Sequence, residues 1–99
     1  MEIEEISNKI TELAKRRAES KGYELNEEIC LIHIMEELGE LSAELFSKKA
    51  RPDKFDEENL KVEICDLILE SLTLAKIKNI DLSKKLNEKI KEIESRMKK

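Results

Sequence analysis

Apolar positions along the chain recur at three- and four-residue steps and fall into four blocks, each the width of an amphipathic helix. Ile3, Ile6, Ile10, Leu13 and Ala14 make the first stripe. It ends near Lys21-Gly22, where glycine can take the left-handed conformation that closes a helix. Asn26 opens the second block as an N-cap, with Glu27 and Glu28 in the first turn at the positive end of the helix dipole. This second helix is predicted to run to about Ser47. Lys48, Lys49, Ala50, Arg51, Pro52, Asp53 and Lys54 then interrupt the periodicity, and Asp56 caps a third helix reaching about Lys78. Asn79 ends that helix and Asp81 caps a fourth, whose Leu82, Leu86, Ile90, Ile93 and Met97 form a narrow stripe suited to one packing seam.

On a helical wheel the second block places Leu31, Ile34, Leu38, Leu41 and Leu45 in one arc, the expected core face. His33, Glu37, Glu40 and Glu44 form a second stripe beside it, with Glu36 nearby. For this helix alone, a solvated acidic flank explains the stripe as well as a site does. The third block changes the balance. Val62, Ile64, Cys65, Leu67, Ile68, Leu69, Leu72, Leu74, Ala75 and Ile77 make it apolar almost all round, which predicts a central, buried helix. Glu63, Asp66 and Glu70 nonetheless share one strip of it. Buried carboxylates must be protonated, paired with a base or bound to a cation, and the single basic residue of that stretch, Lys76, lies on another side. The i, i+3 pairs Glu37/Glu40 and Glu63/Asp66 set their oxygens on neighbouring turns, so two such helices can surround one cation. All-oxygen ligation favours Mg²⁺, with Mn²⁺ as a substitute, over zinc. A di-iron site needs Glu-x-x-His pairs on two helices, which the lone His33 does not provide.

Composition sharpens this picture. Charged residues make up 42% of the 99-residue chain, yet Leu, Ile, Val and Phe number 28, enough for collapse into one domain spanning residues 1–99. Two Gly, one Pro and a single Val favour helices and exclude an all-β fold. The net charge of −4 argues against a nucleic-acid polymer as partner. No apolar run is long enough to span a membrane and the first residues are acidic, so a cytoplasmic location is expected. Cys30 and Cys65 lack metal-ligand spacing and read as reduced, half-buried thiols. The expected architecture is an all-α four-helix bundle, and so short a chain is expected to complete its core as a homodimer or dimer of dimers.

Glu36-Glu37-Leu38-Gly39-Glu40 followed by Glu63-Ile64-Cys65-Asp66 resembles the E-E-x-x-E … E-x-x-D signature of the MazG-like, all-α nucleoside triphosphate pyrophosphohydrolases. The likeness continues through Leu41-Ser42, Leu74-Ala75 and Ile80-Asp81-Leu82, covering roughly Asn26 to Met97. It implies that Glu37, Glu40, Glu63 and Asp66 hold Mg²⁺ and that Glu36 is a nearby ligand or the base that positions water. The implied reaction cleaves an NTP or dNTP between the α and β phosphates to a monophosphate and pyrophosphate, a chemistry used in nucleotide-pool house-cleaning. Two other readings are a phosphoribosyl-ATP pyrophosphohydrolase and a non-catalytic helical interaction or regulatory module. The chain departs from the family pattern at Glu70, where many relatives carry an aromatic or apolar residue, and at Ile93, where many carry Asn between the residues matched by Lys89 and Arg96. It also lacks the tryptophan that often follows the first motif, leaving Tyr23, Phe46 and Phe55 as its aromatics. Glu70 is expected beside the metal shell and His33 at the bundle rim. Lys48, Lys49, Arg51 and Lys54 are expected to form a solvated loop.

Overall fold

In a computed structural model, residues 2–98 are described; they form four α-helices and a single 3₁₀ turn, with no strand among them. The helices are α1 (Ile3–Ser20), α2 (Glu27–Ala50), α3 (Glu57–Ile77) and α4 (Leu82–Met97), and the turn is Pro52–Lys54. Local chemistry sets their ends. The Asn26 side chain accepts a hydrogen bond from the Ile29 N–H at 2.9 Å, Asp56 from those of Glu58 and Asn59, and Asp81 from that of Lys84. At the other ends, Gly22 (φ +79°) and Asn79 (φ +57°) take left-handed conformations. These let the Tyr23 and Ile80 N–H groups donate back to the carbonyls of Ala18 and Ala75. α2 continues to Ala50, three residues past the predicted Ser47. Nothing in Lys48-Lys49-Ala50 breaks a helix, the basic pair complements its negative end, and Pro52 stops it.

α2 and α3 form an antiparallel hairpin. Lys78 pairs with Glu27 at one end (2.8 Å), His33 with Glu70 in the middle, and the Asn59 side-chain amide donates to Glu44 at the other end (2.6 Å). Glu44 also accepts the Asp56 backbone N–H at 3.1 Å, so this one carboxylate ties the end of α2 to the start of α3. α1 lies antiparallel along α3, with Lys76 bridged to Glu4 and with Ile6, Ile10 and Leu13 around Leu69. Its most buried residues are Ser7, Thr11 and Ala18 rather than the isoleucines of the predicted stripe, because small side chains let the two helices approach closely.

Two expectations about burial are corrected. α2 turns Cys30, Ile34 and Leu41 inward together with His33, Glu37 and Glu44, whereas Leu31, Leu38 and Leu45 are exposed. α3 is central, packing on both α1 and α2, but Val62, Ile64, Cys65 and Ile68 are exposed, and its buried residues are Glu63, Leu72, Thr73 and Ala75. The seam between α2 and α3 is occupied by the polar stripe, which leaves the leucine arc of α2 outside. No residue of α4 is buried, and Leu86, Ile90, Ile93 and Met97 stay exposed. The radius of gyration is accordingly 16.3 Å, against about 13 Å for a compact chain of this length. Among the described residues, no helix is long and apolar enough to cross a membrane.

Candidate metal centre

The α2–α3 seam brings Glu37, from the middle of α2, against Glu63 and Asp66 on successive turns of α3. One carboxylate oxygen from each lies within 4.8 Å of the other two. Glu63 is only 8% exposed. The Oε2 atoms of both Glu37 and Glu63 are buried without a hydrogen-bond partner. Unpaired buried oxygens of this kind are rare in folded proteins and costly, which makes them the sharpest chemical feature of the molecule.

The electrostatics follow from this crowding. Burial, then the charges of Glu40, Asp66 and Glu63, push the Glu37 carboxyl up from its ordinary 4.5 to about 7. Burial, followed by neighbouring Glu40, also raises Glu63. A cluster without a cation therefore retains protons where isolated carboxylates would be ionised. The obvious cationic alternative is engaged elsewhere, since Lys76 pairs with Glu4.

Three of the four predicted ligands thus converge, and the fourth, Glu40, is an exposed neighbour at their edge. Glu36 is exposed and outside the cluster. At about 100° per residue it lies some 40° round α2 from Glu40, on the same flank. The donor set suits a hard divalent cation: oxygens alone, with two free lone-pair-bearing atoms already facing the seam. Glu44, read from the sequence as part of the same stripe, is instead held by the α2–α3 junction.

Glu70 lies beside the cluster rather than in it. Its Oε2 lies 3.6 Å from His33 Nδ1, one turn beyond Asp66, and the pair faces a cavity of about 100 Å³ bordered also by Arg17, Tyr23 and Thr73. We accordingly expect Glu70→Gln to change Mg²⁺ affinity less than about threefold, while Asp66→Asn weakens it more than about tenfold in a calorimetric titration. Equal losses in the two variants would return Glu70 to the metal shell.

The remaining candidates are quieter. The expected loop is shorter than the sequence suggests: Lys48 and Lys49 belong to the last turn of α2 and Lys54 to the 3₁₀ turn, but all three and Arg51 are exposed, with the Lys48 ammonium 5.5 Å from the Phe55 ring centre. The two cysteines are free thiols that differ in exposure: Cys65 is exposed, and Cys30 is fully buried. Burial, then the Glu70 charge, pushes the Cys30 thiol up, so it behaves as a core residue. Compared with known family models, curated proteins and solved structures, the chain matches none.

Proposed function

We propose that this chain is a Mg²⁺-dependent nucleoside triphosphate pyrophosphohydrolase of the MazG-like kind, working as a homo-oligomer. The observation that carries the proposal is the convergence of Glu37, Glu63 and Asp66 with two buried, unpartnered oxygens among them. The order and spacing of the E-E-x-x-E and E-x-x-D motifs support it.

Glu37, Glu63 and Asp66 would hold the cation, with Glu40 at its edge. Bound Mg²⁺ offsets phosphate charge and polarises the anhydride that is cleaved. With a net charge of −4, the chain as a whole does not attract a triphosphate, so a bound cation would supply that attraction at the site. Glu36, exposed on the flank of Glu40, can accept a hydrogen bond from the attacking water and take its proton. Its exposure leaves it free to do so, whereas Glu37, Glu63 and Asp66 would be engaged with the cation.

The test is product identity. With Mg²⁺, the purified protein is expected to release pyrophosphate and a monophosphate from at least one member of a panel of canonical, deoxy and modified triphosphates that includes phosphoribosyl-ATP. Release of orthophosphate alone would place the cleaved bond elsewhere. An inert panel would leave the acidic centre to a non-catalytic role.

A further inference from the structure

We propose that α4 is a membrane-surface helix, its apolar stripe bedded into a bilayer of anionic lipid and its basic residues set against the headgroups. The inference rests on charge and packing and does not depend on the catalytic reading.

α4 stands apart from the other three helices. None of its residues is buried, and its stripe faces solvent, with Leu86 43% exposed, Ile90 53% and Met97 80%. The stripe is sharply bounded. At about 100° per residue, Leu82, Leu86, Ile90, Ile93 and Met97 fall within about 80° of arc, and Lys85, Lys89 and Arg96 follow one border within about a further 60°. Cations so placed extend the apolar surface with their aliphatic stems and carry their charge out to its edge.

Charge is segregated in the same way. From Leu82 to Lys99, seven basic residues stand against three acidic ones, whereas the other 81 residues carry 12 against 20. An acidic chain thus concentrates positive charge on a helix whose apolar face has no cover. A bilayer of anionic lipid complements both properties at once, with hydrocarbon for the stripe and phosphate for the lysines. Nucleic acid would meet only the charge and leave the stripe in water. The contact is with the surface and is not a span: the 16 residues of α4 make a rod about 24 Å long that lies in the plane of the headgroups.

Neither the ion pairs of α4 nor the acidic body opposes this docking. Lys85 reaches Glu88 at 3.3 Å, and Lys89 and Arg96 share Glu92, every one of these side chains at least half exposed. Surface pairs of this kind contribute little and yield to a phosphate. The negative charge of the other helices is screened beyond about 10 Å at 0.1 M salt, while α4 is in direct contact.

Co-sedimentation with vesicles at about 0.1 M salt tests the proposal. Phosphatidylcholine vesicles containing about a third phosphatidylglycerol are expected to take up the wild-type chain at least about tenfold more strongly than phosphatidylcholine alone. Ile90→Glu should lose that binding, and Leu45→Glu, 49% exposed on α2, should keep it. Met97 gives a readout within the wild-type protein. The anionic vesicles should slow its oxidation by peroxide at least about fivefold and leave Met35, 63% exposed on α2, unchanged. Absence of binding overturns the proposal. So does equal binding to both vesicles, binding that leaves Met97 as reactive as before, or binding that Leu45→Glu abolishes as fully as Ile90→Glu. A Met97 already protected without lipid, in a chain of doubled mass, would assign the stripe to a second copy and overturn it too. Should Ile90→Glu lose helicity, the methionine ratio decides alone. None of these readouts measures turnover, so loss of the membrane proposal and loss of the enzymatic one are separate results.

Discussion

Glu63→Gln is expected to lower turnover at least about 100-fold and, at the same time, to raise the melting temperature of the metal-free protein. The two effects have one cause. Glu63 is 8% exposed and its Oε2 has no partner, so its charge is a cost to the fold. An amide of the same shape removes that charge and the repulsion it exerts on Glu37, but it can no longer supply an anionic ligand. A carboxylate whose role was structural, held by hydrogen bonds, would behave in the opposite way and lose stability when neutralised. Steady-state pyrophosphate release and thermal melts in a chelator, run on the same preparations, separate these cases. Retained turnover would remove Glu63 from the mechanism, and a fall in metal-free melting temperature would show that the unpaired oxygen is satisfied in solution.

The second large effect is a reversal of pH dependence by Mg²⁺. Without metal, the folded-state pKa of Glu37 stands at about 7, while in the unfolded chain it returns to its ordinary value of 4.5. Between those values the folded state binds more protons than the unfolded one, so stability falls as pH rises through this window. Glu63 is raised as well and contributes in the same direction. The metal-free protein should therefore melt higher at pH 5 than at pH 7.5. A cation needs the deprotonated cluster, so its stabilising effect should grow over the same interval. At a hundredfold excess over its dissociation constant it adds about 2.7 kcal/mol. For a domain of this size that corresponds to a shift of about 10 °C or more. Melts at both pH values with and without Mg²⁺ check this. A metal-free stability that rises from pH 5 to 7.5, or a Mg²⁺ effect that shrinks over it, would contradict the buried-cluster description.

Much of the molecule is legible in its amino-acid order. The caps at Asn26, Asp56 and Asp81 and the closures at Gly22 and Asn79 stand where the pattern puts them, because each depends on a side chain or backbone group reaching another a few residues away. The convergence of Glu63 with Asp66 is local in the same sense, since i, i+3 spacing on one helix sets it. That Glu37 joins them is a weaker inference from sequence, drawn from the cost of acidic residues on an otherwise apolar helix. The cluster has that composition, although Glu40 stays at its exposed edge.

The faces of the helices are harder to read. An arc of leucines on α2 and a nearly all-apolar α3 each suggest core, yet Leu31, Leu38, Ile64 and Ile68 are exposed while Glu37 and Glu63 point into the seam. Periodicity states which residues share a side of a helix, and it does so from one chain segment alone. Which side meets a neighbour depends on the crossing of two segments. The partners of Glu70 and Glu44 belong to the same class. His33 and Asn59 lie 37 and 15 residues away from them in the chain, and only the antiparallel register of α2 on α3 brings them within reach. The helices, their ends and the i, i+3 spacing of the acidic pairs are thus written in the chain, since each is settled within one or two turns. Which stripe becomes the seam is settled only when α2 meets α3, because burial belongs to a pair of surfaces and not to either one.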